Sequence, residues 1–277
     1  MPALRFAAAC AVVALFMFPL AWWGLTSIMP ASAIFNRDGI VLFDFQPTFA
    51  NYLATAFGAD TFMITDTDPL KSQKTIFDTI VVALGSTVLT LSLGLPAGFA
   101  LSLFTFRWRR AWFYWIVFQR VLPPIAVLVP LVTLYHDVHL LDTRLGVILA
   151  HGTMNLPLAV LMLKSFFDDT SREVIDAARI DGASSLQIFS RVCVPLIQGG
   201  VAATAVLCFI FSWTEFLLSL FLTTSIRMLP VQLSILQSAD WGFTSALSTI
   251  ALVPSFLFIL LVQRYLVRGL TLGQLKE

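Results

Sequence analysis

The polar chemistry of this sequence is concentrated in residues 173–195, which read EVIDAARIDGASSLQIFSRVCVP between two long apolar stretches. Within this segment, Ala177 and Ala178 form a patch of small side chains, and Asp176 and Asp181 flank it with negative charge. Small side chains let another protein approach closely, and carboxylates at the margin supply charge for pairing. This is the chemistry of a docking element.

Two helix-start signals predict how the segment folds. Residues 170–173 and 184–187 both have capping-box spacing, with a hydroxyl residue three positions before Glu or Gln. Gly182 stands between the two predicted helices, where a left-handed backbone suits glycine, and the second helix should stop before Pro195. The spacing predicts two short helices with a glycine elbow. These local signals alone favour a docking element and an ordinary interhelical loop equally.

Two charged residues fall within apolar stretches, where ionisable groups are functional candidates. Glu215 is predicted in the outer half of the fifth such stretch, where it could face a pathway and accept hydroxyl groups. A structural role, hydrogen-bonded within the bundle or to a partner, is slightly favoured, since intramembrane polar groups also hold helices together. Arg120 interrupts the third stretch, and it could pair with Glu215 or extend toward the inner surface.

The rest of the chain has the composition of a membrane protein. It is 58% hydrophobic and 12% charged, with 25 Phe, which is too apolar for a soluble fold of 277 residues. About 20 apolar residues cross a bilayer, and the first stretch is longer than the apolar region of a signal peptide. The predicted spans are residues 6–28, 79–104, 112–135, 145–163, one within 198–223 and one within 243–266.

Lys and Arg accumulate on the side of the membrane that holds both termini, so both termini are predicted to be cytoplasmic. The sequence therefore predicts an all-α polytopic fold of six transmembrane helices with a cytoplasmic loop bearing two short helices. The predicted division is a first helix (1–30), an extracytoplasmic loop (31–78), a five-helix core (79–267) with the polar loop at 170–195, and a cytoplasmic tail (268–277).

Several functions are disfavoured by what the sequence lacks. A net charge of +1 offers no basic face for nucleic acid. The three cysteines have no metal-ligand or redox spacing, and the three histidines form no ligand cluster. No GxxxxGK[ST] phosphate loop is present, so ATP would have to be bound by another chain.

The polar segment resembles the coupling loop of binding-protein-dependent ABC importer permeases. That family writes Glu-Ala-Ala, three residues, Gly, nine residues, Ile, any residue, Leu, Pro. Here Asp176 replaces Glu, and Val192 and Val194 replace Ile and Leu, with the same spacing through Gly182 to Pro195. The resemblance implies that Glu173, Asp176, Ala177, Ala178, Asp181, Gly182, Ala183 and Pro195 dock an ATPase.

Other elements also resemble recurring elements of this family. They are residues 51–52, 122–124, 130–131, 155–157, 211–216 and 229–231. The tail, residues 269–276, resembles the ending of the sugar and polyol branch, the maltose type with six spans. From these elements, Asn155, Trp213, Thr214 and Glu215 are candidate pathway residues, although the branch usually has Asn where Thr214 stands.

The resemblance also implies partners and a location. They are a second permease subunit, expected as a heterodimer, an ATPase dimer that binds ATP and Mg, and an extracytoplasmic solute-binding protein. The chain itself is expected to bind no cofactor, and it should lie in the bacterial cytoplasmic membrane among lipid. It would translocate a sugar or polyol without being an enzyme.

Three alternatives are weaker. The same importer type could carry a polyamine, a phosphonate or glycerol phosphate. An ion-coupled secondary transporter would show paired inverted repeats and several intramembrane acids, and the sequence offers little beyond Glu215. An intramembrane enzyme would need a nucleophile–base pair at membrane depth, and no such pair is evident from the sequence.

Overall fold

The computed structural model describes residues 2–34, 44–57, 69–236 and 241–272. Within those ranges every regular element is a helix. The helices are α1 (Pro2–Ser27), α2 (Ala31–Ile34), α3 (Ala50–Phe57), α4 (Pro69–Leu103), α5 (Arg109–Phe118), α6 (Pro124–Asp137), α7 (Arg144–Asp168), α8 (Arg172–Ile180), α9 (Ser185–Gln187), α10 (Val194–Leu196), α11 (Gln198–Trp213), α12 (Leu217–Leu222), α13 (Leu229–Leu236) and α14 (Trp241–Leu272), with a 3-10 turn at Gln119–Val121 and a π-helical segment at Ile188–Cys193.

Among the described residues, four helices are long and apolar enough to cross a membrane, and two bent helix pairs bring the number to six if each pair counts as one span. The four lie within α1, α4, α7 and α14. The bent pairs join α5 to α6 at 96° and the α9–α10 segment to α11 at 79°. The predicted class, an all-α polytopic membrane protein, is confirmed.

Two span boundaries differ from the sequence-based ones. The third span breaks at Leu122 and Pro123, after a 3-10 turn that contains Arg120, rather than at Arg120 itself. Pro123 is the N-cap of α6 and another proline opens the helix, because proline lacks an N–H and suits a helix start. The second span begins at Gln73 rather than near Thr79, and its helix α4 begins at Pro69, which makes the last part of the predicted outer loop helical.

The fifth span is also discontinuous. α11 ends at Trp213, three residues are unwound, and α12 then runs over Leu217–Leu222. Glu215 therefore lies in a break between two helices, and not inside a continuous outer half-span as predicted. Non-helical backbone at membrane depth is tolerated where protein groups satisfy it.

The chain clusters into two compact units, residues 1–77 with 229–255 and residues 78–228 with 256–277. In the first unit, the pair Asn51-Tyr52 fixes α3 to the end of α1. Tyr52 and Ser27 share a hydrogen bond of 2.7 Å between their hydroxyls. The side-chain amide of Asn51 donates to the backbone carbonyls of Ser27 and Met29, at 3.0 and 3.1 Å.

In the second unit, polar contacts join α4 to α7 at both ends. At one end the guanidinium of Arg144 holds Asp78, with its Nη2 2.6 Å from the carboxylate of this buried residue. At the other end the hydroxyl of Ser102 donates to Asp168 at 2.6 Å. The two helices are therefore tied as a pair along their length.

Small residues let α4 and α7 approach closely between those ties. A Cβ added at Gly94 would lie 3.2 Å from that of Ala159, and one added at Gly98 would lie 3.0 Å from the backbone nitrogen of Lys164. Close backbone approach through small residues is the usual packing mode of helices in lipid.

Asp142 organises the irregular backbone that follows α12. Its Oδ1 accepts the backbone N–H groups of Thr224, Ser225 and Ile226 at 2.8, 2.9 and 3.1 Å. Its own N–H donates to the carbonyl of Leu222 at 2.8 Å. Burial alone would raise the pKa of Asp142, but the Ser225 hydroxyl and these N–H groups outweigh it and hold the pKa well below its ordinary value.

We expect Asp142→Ala to lower the free energy of unfolding by about 2 kcal/mol at pH 7, since charge-assisted hydrogen bonds are lost. Because the folded pKa is depressed, this stabilisation is complete above the unfolded pKa of about 3.9 and disappears as pH falls further. Thermal unfolding in detergent between pH 7 and pH 3 should show the gap between wild type and variant closing below about pH 4.

The matched control is Asp137→Ala, whose carboxylate is 68% exposed and contacts the neighbouring His136. It should leave the unfolding temperature unchanged at pH 7. A gap for Asp142→Ala that stays constant down to pH 3 would contradict the role assigned to the carboxylate.

Candidate docking loop and intramembrane carboxylate site

Helix α8 presents two different faces. Ile175 is 1% exposed and packs into the core, and Ala178, one turn further, is half-buried against the same cluster. Glu173, Asp176 and Ala177 are exposed on the opposite side. Residues three and four apart share a helix face, so the outward surface combines carboxylates with a small side chain.

The predicted glycine elbow is present. Gly182 has φ +80°, in the left-handed region, and nothing lies within 4 Å of a Cβ built on it. Its N–H donates to the carbonyl of Arg179, and the N–H of Ala183 donates to that of Ala178, both at 3.0 Å. These bonds close the end of α8 and turn the chain, while Asp181 remains exposed beside the elbow.

One of the two predicted capping boxes forms. Ser184 accepts the N–H of Gln187 at 3.3 Å, and the Gln187 side chain accepts the N–H of Ser184 at 2.7 Å. The box at Thr170 was wrong. Ser171 is the N-cap of α8 and makes no side-chain cap bond, and the Thr170 hydroxyl donates back to Phe166 at 3.3 Å. Thr170 follows the end of α7, and its N–H and its hydroxyl both bond to carbonyls of the last turn of that helix. The hydroxyl is therefore not free to cap α8.

The prediction that the second helix stops before Pro195 was also wrong. The π-helical segment Ile188–Cys193 follows α9, and α10 carries Pro195 within it. A π-helical turn interrupts the regular bonding ladder, so the missing N–H of proline is accommodated at that irregularity.

The loop is anchored in the core of the second unit. Ile175, Ile188 and Cys193 are 1%, 4% and 0% exposed, and they share one cluster with Leu163 of α7 and Cys208 of α11. Phe99 of α4 and Phe167 of α7 add edge-on ring contacts in the same cluster, with centroids 5.6 Å apart. The loop therefore packs against side chains of three spans.

Two large apolar side chains of the loop project outward. Ile180 is 87% exposed and Leu186 is 73% exposed, one on each side of the elbow. The sequence analysis did not single them out as docking residues. Helical spacing was the available signal, because Glu173, Asp176, Ala177 and Ile180 follow the i, i+3, i+4, i+7 pattern of one face.

Glu215 lies in the break between α11 and α12 and is hydrogen-bonded to the backbone at the start of α12. Its Oε1 accepts the N–H of Leu218 at 2.9 Å, and its Oε2 accepts that of Ser219 at 3.1 Å, so the carboxylate caps α12. The same Oε2 lies 3.2 Å from Nε2 of His151, whose side chain is 1% exposed. These contacts correspond to the structural alternative, hydrogen bonding within the bundle.

A chain of buried polar groups extends this site toward α4. Nδ1 of His151 lies 2.8 Å from the hydroxyl of Ser212, and the Ser86 hydroxyl donates to Ser212 at 2.8 Å. With a proton on Nε2, His151 donates to Glu215 while Nδ1 accepts from Ser212. The network joins α4, α7, α11 and the break before α12.

Ser212 and His151, with Glu215 beside them, form a nucleophile–base pair at membrane depth. This pair was not evident from the sequence. Ser212 and His151 are 3% and 1% exposed, and Ser212 also takes the Ser86 hydroxyl. A substrate carbonyl therefore has no approach to the serine oxygen, which a covalent mechanism requires. The trio serves packing, and within the described residues no group of His, Cys, Asp and Glu could hold a metal ion.

Arg120 does not pair with Glu215. Its Nη1 donates to the carbonyl of Met154 at 3.2 Å, and its guanidinium stands 4.9 Å from the ring centroid of Phe211. Of the two alternatives for this residue, pairing is excluded, and the contact instead lies near the middle of the 25-residue helix α7.

The remaining pathway candidates are placed differently from one another. Trp213 is 3% exposed and stacks on Phe209 with ring centroids 5.7 Å apart. Asn155 is 3% exposed, and its amide donates to the carbonyl of Cys208 at 3.3 Å. Thr214 is exposed, with its hydroxyl bonded to the carbonyl of Ile210. A pathway role for these residues stays a prediction.

The sequence and the fold both match a known family of membrane proteins. The model of the family described as "Binding-protein-dependent transport system inner membrane component" matches residues 90–272, which is more than half of the chain. The chain belongs to this family. As a permease of this family it is a transport component, and it is a component of the inner membrane.

Full-length relatives support the assignment. The permease is 32% identical to the sulfoquinovosyl glycerol transport system permease protein of Agrobacterium fabrum, over 99% of this chain and 93% of the relative. It is 30% identical to the trehalose transport system permease protein of Mycobacterium tuberculosis, over 96% and 94%. A bacterial ABC transporter that imports the acidic polysaccharide alginate shares the fold, with a TM-score of 0.76, 21% identity and 95% coverage of both chains.

Substitution of Gly182 separates backbone strain from steric clash, because a side chain there meets open space. Gly182→Val should reduce transport at least tenfold, since a β-branched residue is strained at positive φ and the elbow must shift. Gly182→Asn should keep most transport, because Asn tolerates the left-handed region. Uptake at matched expression measures both, and equal uptake by wild type and Gly182→Val would overturn the elbow's role.

Substitution of Glu215 tests how much its capping of α12 contributes to the stability of the protein. Glu215→Ala should lower the free energy of unfolding by about 3 kcal/mol, because buried N–H groups and His151 lose their acceptor. Glu215→Gln keeps one acceptor oxygen and should lose less. The control is Thr214→Ala, whose hydroxyl serves its own helix. Thermal unfolding in detergent measures the effect. Equal unfolding temperatures for Glu215→Ala and Thr214→Ala would refute the capping assignment.

Proposed function

We propose that this permease forms half of the translocation path of an ATP-driven importer for a sugar or polyol. The sulfoquinovosyl glycerol and trehalose systems of its near-full-length relatives support this cargo class. ATP and Mg are bound by a separate ATPase subunit, and this chain binds no cofactor. Another solute class on the same importer type remains the second candidate.

The proposal rests on the loop of residues 170–195, whose inner side chains are buried in the core and whose outer side chains are exposed. Ile175 and Ile188 hold it in the core, while Ile180 and Leu186 expose apolar surface next to Asp176. Large apolar side chains that project from an otherwise charged segment are typical of a protein contact. We assign this outward surface to a cleft of the ATPase, with the carboxylates at its margin.

The coupling mechanism follows from the anchoring. When the ATPase dimer closes on nucleotide, the loop moves as a rigid body, because its buried side chains interlock with α4, α7 and α11. The spans then rock together and exchange access between the two sides of the membrane. The network of Glu215 and His151 keeps α7 in register with the break before α12 during this motion.

The further partners are a second permease, in a heterodimer, and an extracytoplasmic solute-binding protein. Both termini and the docking loop are assigned to the cytoplasm, where Lys and Arg accumulate in the short loops. The outer loops then face the binding protein, which delivers the cargo.

The contacts of Glu215 argue against an ion-coupled secondary transporter. Ion coupling needs an intramembrane acid that loads and releases an ion. Glu215 instead accepts two backbone N–H groups and contacts His151, so release of these contacts would leave α12 uncapped. This geometry fits a fixed structural group.

The docking surface is tested by co-purification in mild detergent. Ile180→Ser and Leu186→Ser should each lower recovery of the ATPase at least tenfold, because the loss of buried apolar anchors weakens an interface most. Both variants should retain the second permease, which contacts the chain elsewhere. Mass spectrometry of the recovered proteins measures both partners.

The matched control is Leu145→Ser, which removes a side chain that is 57% exposed at the start of α7, away from the loop. It should recover the ATPase fully. Full recovery with both loop variants would overturn the docking assignment, and recovery of the chain without any ATPase would overturn the importer. The co-purified binding protein then tests cargo class by its affinity for sugars and polyols over amino acids.

A further inference from the structure

A cavity of about 430 Å³ lies between the bent third span, α7 and α12. Its walls are mostly apolar side chains, including Leu131, Met154 and Leu218. Its polar lining is Gln119, Arg120, Tyr135 and Thr153, so that the described lining contains one cation and no acidic group. A volume of this size, apolar with few convergent polar groups, is typical of a small-molecule site.

Arg120 brings an unneutralised charge into this cavity. A guanidinium has five N–H donors, and one hydrogen bond is made, to the carbonyl of Met154. No carboxylate lies within ion-pair distance of it in the part of the chain that the structure describes. Arg120 itself is exposed, and its carbonyl partner belongs to the middle of the 25-residue helix α7.

Tyr135 supplies a second free donor. The residue is 7% exposed and lines the same cavity. Its hydroxyl makes no hydrogen bond among the described residues. The remaining N–H donors of Arg120 and the Tyr135 hydroxyl therefore line one cavity, which suits a ligand that carries acceptor oxygens.

We propose that this cavity binds an anionic group of the cargo, a carboxylate or a sulfonate of an acidic sugar, with Arg120 as the specificity-determining residue. The planar guanidinium fork matches the two oxygens of such a group, and the Tyr135 hydroxyl donates to a third position. Phe211 behind the guanidinium holds it by a cation–π contact. The inference rests on the proposed transport of sugars and narrows that cargo to acidic ones.

The shared chemistry, an anionic oxygen pair, could also come from an acidic side chain of the partner permease. The cavity favours the cargo, because its walls come from three elements of this one chain and its volume accommodates a sugar-sized ligand. A side chain from a partner would fill little of that space. The test separates the two sources.

The experiment uses the complete complex in lipid nanodiscs with the matched probes glucuronate and glucose, at constant ionic strength. Glucuronate should raise the unfolding temperature of the complex at concentrations at least tenfold lower than glucose does. Arg120→Gln should abolish that difference, by raising the glucuronate concentration that is needed to the range needed for glucose. Arg120→Lys should restore part of it, since the charge is kept but the fork is lost, and Tyr135→Phe should weaken it severalfold.

The matched control is Arg107→Gln, which removes an exposed cation that stands over Trp108 outside the cavity. It should behave as wild type does. Equal responses to the two sugars in wild type, or an unchanged preference in Arg120→Gln, would overturn the inference. Loss of the second permease from the Arg120→Gln complex would also overturn it, because the guanidinium would then serve the partner. A complex that keeps its ATPase and imports neutral sugars with no preference refutes the acidic cargo while the proposed function stands.

Discussion

A backbone N–H or C=O without a partner costs several kcal/mol in hydrocarbon, so each break in a membrane helix must be satisfied by protein groups. In this permease the requirement falls on the six-residue helix α12. Glu215 accepts the free N–H groups at its start, and Asp142 accepts those that follow its end. A carboxylate therefore stands at each end of α12.

The same constraint explains why the charged groups of the second unit have different roles. Glu215 is hydrogen-bonded within the chain by His151 and by backbone N–H donors, which makes it part of the scaffold. Asp78, buried on α4, is held by Arg144. Arg120 differs, because the described chain gives it a carbonyl and an aromatic face but no counter-charge. Its remaining N–H donors are available to a ligand in the cavity.

Transmission between the cytoplasmic surface and the membrane depends on packing. The loop enters the core through Ile175 and Ile188, and α4 and α7 are tied by the polar contacts of Ser102 and Asp168 at the near end. Packed interiors respond to a push as rigid bodies because they have few alternative arrangements. The glycine at position 182 lets the outward surface project without loosening this anchor.

The sequence alone determined the class of protein. Apolar length predicted a polytopic helical fold, and the spacing from Asp176 through Gly182 to Pro195 predicted the family, since both signals are local in the chain. The left-handed elbow and the second capping box were also predictable, because glycine and hydroxyl residues carry their conformational preference with them.

The tertiary structure decided which partner each polar side chain takes. Thr170 could cap α8 by its spacing, yet the preceding helix engages its hydroxyl. Glu215 is far in sequence from His151, and no local pattern relates them. The pairing of Arg120 was open in the sequence for the same reason. Local preference is written residue by residue, whereas neutralisation of a buried charge depends on which helices pack together, and that arises only in the folded chain.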